Sequence, residues 1–195
     1  MSPLGSPERI YLLDLARTAL RNAVEESDTP LWLSPAAVLL QPAGAFVTLR
    51  HHRELRGCMG QLEAAEALTN VVAHAAVSAG MHDPRFPPVA ASEMALLEIE
   101  ISVLSPLAAI RPEEIEIGKH GLVVSRGKFR GVLLPQVATE HRLNVRRFLE
   151  ETCRKGGLER NAWKLPETGI QGFTAEVFSS ASEAAGQRSA PNAGF

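Results

Sequence analysis

Residues 45–80 constrain the fold more than any other stretch of this chain. A strand-like run, a polar tip, a second run and an amphipathic helix follow one another directly. Residues 45–50 place Phe46, Thr48 and Arg50 on one side and Ala45, Val47 and Leu49 on the other. Bulk on both faces predicts a central strand. His51-His52-Arg53-Glu54 reads as a hairpin tip, and Leu55 starts the return strand. Leu55-Arg56-Gly57-Cys58-Met59-Gly60 then leads towards Leu68, Val71, Val72, Ala75, Ala76 and Ala79, a helical stripe that Gly80 ends.

The rest of the chain follows the same mixture. Ser6 as cap, Pro7 and Glu8 open a helix whose Ile10, Leu13, Ala16, Leu20 and Val24 recur at spacings of three and four. Pro30 stops it, Trp32 and Leu33 are expected to pin the next loop to the core, and one helical turn fits between Pro35 and Pro42. Pro84, Pro87 and Pro88 make residues 83–88 a rigid loop. A strand spans 98–104, with Ile99, Ile101 and Val103 on one face and Glu98, Glu100 and Ser102 on the other. Residues 122–125 and 129–134 read as a hairpin about a turn at 126–128. Helices open at Pro135 and at Asn144, the second ending at Gly156-Gly157, and residues 170–178 form a last strand. From Ser179 the Ser, Ala, Gly and Pro content predicts a disordered tail. Hairpins mixed with helices, without strict βα alternation, make the class α+β.

A net charge of −2 argues against a nucleic-acid-binding module, which needs a basic stripe, although it leaves room for a local basic patch. Cys58 and Cys153 lie far apart, and no leader-like start is visible, so two reduced thiols in a cytoplasmic protein are expected. No apolar run approaches the ~20 residues of a membrane span.

Cys58 is the natural candidate nucleophile, with Arg56 two residues before it as the cation that thiolate chemistry needs. The plainer reading, a small thiol packed where glycines let two backbones approach, stays open beside it. Gly57 and Gly60 fit either a tight turn or a loop whose amides bind an anion. Arg85, on the stiff loop with Asp83, reads either as a ligand contact or as a clamp for a carboxylate such as Glu100. Glu98 and Glu100 share a strand face that is either solvated or the wall of a cleft. His120, beside Lys119 between Gly118 and Gly121, combines a titratable ring with backbone freedom. Neither HExxH nor paired CxxC occurs, so no metal site is expected.

These residues resemble the AMMECR domain family. Residues 55–60 resemble its Leu-Arg-Gly-Cys-Ile-Gly hexapeptide. The runs 45–49, 83–88, 98–106, 117–122 and 133–138, then Phe148-Leu149, Thr152-Cys153 and Trp163, follow in the family's order. Met59 stands where Ile is usual, and Leu143-Asn144 where Trp-Asp often precedes the following helix. The resemblance implies an AMMECR domain over residues 6–178 with two lobes, a mixed or antiparallel sheet flanked by helices, and the hexapeptide near the cleft. It implies a site at Arg56, Gly57, Cys58 and Gly60, with Asp83, Arg85, Lys119 and His120 as neighbours. It names no cofactor. Its partners would be a Memo-like protein and a radical SAM protein, in what is called the AmmeMemoRadiSam system. Two functions follow as expectations: an enzyme or enzyme component acting on a small anionic or carbonyl substrate, or a non-catalytic module that binds a partner protein or a nucleotide.

Overall fold

The structure, a computed structural model, describes residues 3–30, 35–63 and 65–183. Trp32 and Leu33 lie outside the described residues. The chain divides into two compact units, residues 1–103 with 176–195, and residues 104–175.

The first unit begins with α1, Ser6–Glu25, followed by β1, Ala45–His51, β2, Glu54–Gln61, α2, Leu68–Met81, and β3, Leu97–Leu104. The expected central strand is central: β1 pairs antiparallel with β2 on one side and β3 on the other. The helical turn expected between Pro35 and Pro42 is a 3-10 turn, Ala37–Leu40. Leu12, Leu13, Ala16 and Leu20 of α1 and Val71, Val72, Ala76 and Ala79 of α2 are buried in one core with Val47, Leu49, Ile99 and Ile101 of the sheet. Each fully buried Leu, Ile or Val of this set contributes roughly 1.5–3 kcal/mol relative to exposure.

Two local expectations are corrected. Ser6 is not the cap of α1; Gly5 holds that place without a side-chain bond, and Ser6 Oγ donates to Glu183 instead. The hexapeptide is neither turn nor loop, since residues 55–60 lie wholly within β2. Alternation of the pairing with β1 continues through both glycines, so the run is extended backbone and not an anion-binding nest.

The second unit holds β4, Ala108–Ala109, β5, His120–Arg126, β6, Phe129–Leu133, α3, Pro135–Glu140, α4, Val145–Lys155, and most of β7, Gly169–Ser179. β5 pairs antiparallel with β6 and β7, and β4 with β7. Gly127, at φ +58°, supplies the left-handed residue of the tight β5–β6 turn. Asn144 caps α4 as the sequence predicts, its Oδ1 accepting the Arg147 N–H at 2.9 Å. Leu122, Val124, Ala138, Phe148, Leu149 and Cys153 form this unit's core.

The tail expected from Ser179 is ordered at its start. Ser179 ends β7, and residues 180–183 turn helically with Ser179 and Ser182 exchanging hydrogen bonds at 2.9 and 3.1 Å. Residues 184–195 lie outside the described residues. The segment is held by side chains, through Ile99 N–H to Ser180 Oγ at 3.2 Å and Ser6 to Glu183, which composition does not report.

Candidate functional site

β2 lies at the edge of its sheet, so half of its backbone groups face away from β1. Cys58 is one such residue. Its N–H donates to Asp83 Oδ2 at 2.9 Å, and its carbonyl accepts from an Arg85 Nη at 3.4 Å. Its sulfur accepts the Thr48 hydroxyl at 3.4 Å from the residue directly opposite on β1. Every polar handle of Cys58 is therefore held, and the residue remains partly exposed.

The glycines explain why the strand can sit there. A Cβ on Gly57 would lie 2.0 Å from the Ala79 carbonyl oxygen of α2. One on Gly60 would lie 2.2 Å from the Ala45 carbonyl oxygen. Gly57 thus faces the helix, and alternation turns Cys58 to the opposite face of the sheet. Thr48 opposes Cys58 on one side and Glu100 of β3 on the other, so Cys58, Thr48 and Glu100 form a row across three strands.

The loop after α2 supplies the charge. Asp83 is buried, its side chain only 2% exposed, while Arg85 remains 53% exposed. Arg85 donates to both Asp83 oxygens, from Nε at 2.9 Å and Nη2 at 2.6 Å, and its own N–H adds a bond at 3.1 Å. The guanidinium, then the Cys58 and Arg85 amides, hold the Asp83 carboxyl far below the usual carboxylate range against the opposing effect of burial. Asp83 in turn raises Arg85 above its ordinary value. The Phe86 ring lies 5.5 Å from the Arg85 guanidinium carbon, stiffening it further. The clamp reading of Arg85 is correct in kind, but the carboxylate it grips is Asp83 rather than Glu100.

Arg56 behaves differently from expectation. Leu49 pairs with Gly57 and Arg50 with Leu55, leaving Arg56 as the extra residue of a bulge. Its side chain turns to Glu93, with bonds at 2.8 and 3.0 Å, and to the carbonyls of Pro87 and Pro88 at 3.0 and 3.4 Å. It latches the proline loop. Glu93, held by Arg56 and the Ala90 amide, sits below its ordinary pKa.

Lys119 and His120 belong to the second unit. Lys119 pairs with Glu116 at 2.6 Å, and His120 Nδ1 accepts the Glu116 N–H at 3.0 Å, which leaves the proton of the neutral ring on Nε2. Cys153 is fully buried, and burial pushes its thiol up. Among the described residues no group of three or more His, Cys, Asp and Glu could hold a metal ion, and no helix is long and apolar enough to cross a membrane.

Sequence reasoning missed Thr48 and Glu93. The first was accessible, since the hairpin register places it opposite Cys58. The second had no local signal, because its bond to Arg56 spans 37 residues.

Comparison with known proteins agrees with this architecture. The family model described as AMMECR1 matches residues 13–178. A protein of Methanothermobacter thermautotrophicus is 38% identical over 185 residues, covering 91% of this chain and 96% of that protein. Protein MK0488 of Methanopyrus kandleri is 40% identical over 178 residues, covering 86% of each. The crystal structure of protein PH0010 from Pyrococcus horikoshii superposes with a TM-score of 0.82 at 34% identity, over 89% of this chain and 92% of that one.

Proposed function

Because the chain belongs to the AMMECR1 family, we propose that it is an enzyme or enzyme component whose chemistry is done at the Cys58 thiol, on a small anionic or carbonyl substrate. One observation carries this: Cys58 is partly exposed, its sulfur accepts a hydroxyl bond, and its backbone is held on one side by a buried carboxylate and on the other by the half-exposed guanidinium that this carboxylate holds still. Thiolates are the nucleophilic form and are favoured by neighbouring positive charge. In this reading Cys58 attacks or binds, Thr48 orients the sulfur, and the outward edge of Arg85 receives a carboxylate, a phosphate or a developing oxyanion. Asp83 is a positioning residue, and Arg56 keeps the loop in place. A shared pathway with a Memo-like protein and a radical SAM protein, which the resemblance of residues 55–60 to the family hexapeptide implies, belongs to the same proposal.

The test compares two alkylating agents that differ in charge. Iodoacetate and iodoacetamide are reacted with Cys58 at one pH, and the ratio of their rates is read. Arg85→Gln is expected to lower the iodoacetate-to-iodoacetamide ratio about 3–10-fold, and Arg85→Lys to restore part of it. An unchanged ratio in Arg85→Gln would remove the guanidinium from the site. The non-catalytic alternative, a face that only receives a partner or nucleotide, predicts that Cys58→Ser leaves activity of the reconstituted three-protein system intact while Arg85→Gln does not.

A further inference from the structure

A groove of about 690 Å³ opens in the second unit. Leu133 of β6, Val137 of α3 and Leu143 ahead of α4, all partly buried, form its apolar floor. Arg147, Arg154 and Lys155 of α4 form a charged wall, with His141 and Glu151 beside them. The Glu151 carboxylate is already claimed, by Arg154 at 2.8 Å and Arg160 at 2.9 Å. Neither Arg147 nor Lys155 has an ion-pair partner among the described residues. The wall is therefore positive.

Arg147 is informative by position. It lies in the first turn of α4, which contains no acidic residue, and there a cation opposes the helix dipole. Helix stability does not account for it; an anion arriving from outside would. The whole second unit leans the same way, with twelve Lys and Arg against eight Asp and Glu in a chain whose net charge is −2.

The character of the lining selects the kind of ligand. A metabolite site fixes its ligand through a few convergent, sheltered polar groups. Here His141, Arg147, Arg154 and Lys155 are all exposed and the floor is apolar, the arrangement of a groove that takes a peptide's apolar anchors and rims them with charge. We propose that this groove receives an acidic amphipathic segment of a partner protein, with apolar side chains seated on Leu133, Val137 and Leu143 and carboxylates facing Arg147, Arg154 and Lys155. This is a second surface, independent of the chemistry assigned to Cys58.

The probe is a displayed library of 14-residue peptides with Leu or Phe at i, i+3, i+4 and i+7 and Asp or Glu elsewhere. Two control libraries keep the apolar positions but carry Ser and Gln, or Lys and Arg, between them. The full chain is expected to enrich the acidic library over both, and the enriched peptides, measured by fluorescence anisotropy, to bind Arg147→Glu/Lys155→Glu at least tenfold more weakly. Val137→Glu, checked by circular dichroism for an unchanged fold, is expected to weaken them comparably. Equal enrichment of the three libraries, or binding to the charge-reversed variant within twofold of wild type, overturns the proposal. So does polyuridylate that displaces the peptides and binds Val137→Glu unchanged, which would make the wall a general polyanion surface.

Discussion

Asp83 Oδ2 accepts the backbone N–H of Cys58 at 2.9 Å, a bond across 25 residues that ties a buried carboxylate to an edge strand. Arg85 completes it by donating to the Cys58 carbonyl at 3.4 Å. An ion pair thus occupies backbone groups where another strand could have added, which protects the edge and places a cation beside the thiol with the same two residues.

The stability of that arrangement depends on pH in a defined direction. The folded-state pKa of Asp83 is depressed, so its contribution is fully present above the unfolded value near ~4 and is lost as pH falls from there towards the folded value. Asp83→Asn is expected to lose about 2 kcal/mol at pH 7, less than a fully buried pair because Arg85 is half exposed. Urea unfolding from pH 7 to pH 3 should show wild type converging on the variant. A constant gap across that range would contradict the assignment.

Gly57→Ala tests the close approach of α2 to β2. Its Cβ would meet the Ala79 carbonyl oxygen at 2.0 Å, and backbone on both sides leaves no flexible side chain to move. A loss of about 3 kcal/mol or more, or failure to fold, is expected from thermal denaturation. A wild-type Tm would show that the strand and helix do not touch there.

Arg56→Ala separates the latch from the chemistry. It removes bonds to Glu93 and to two proline-loop carbonyls, and about 1–3 kcal/mol should be lost. Glu93 is held below its ordinary pKa, so the part of this loss due to the pair should fade as pH drops below ~4.3. Cys58 alkylation by iodoacetamide should stay within about twofold of wild type while the protein is folded. A larger change in that rate would return Arg56 to the thiol's surroundings.

The two thiols should differ in access. Cys58 is partly exposed and Cys153 fully buried, so iodoacetamide should modify Cys58 at least about tenfold faster in the folded protein, with parity in urea. Thr48→Val deletes the hydroxyl bond to sulfur and should slow the Cys58 reaction about 2–5-fold at pH 8. Mass spectrometry of tryptic peptides reads both results. Equal rates for Cys58 and Cys153 in the native state would end the thiol reading.

Sequence alone determined the elements and much of their order. The 3.6-residue stripes of α1 and α2, the two-sided bulk of β1 and the Asn144 cap are local patterns, and each became the element it predicted. The α+β class followed from the same local physics. Only the tertiary structure decided which guanidinium stands by Cys58. Proximity in sequence favoured Arg56, but a single extra residue in the pairing of β2 with β1 re-aimed it to Glu93. Arg85 took its place through a bond to the Cys58 carbonyl across 27 residues and through Asp83, whose bond to the Cys58 amide spans 25. Strand register and long-range hydrogen bonds depend on how whole elements pack, and no window of neighbouring residues encodes them.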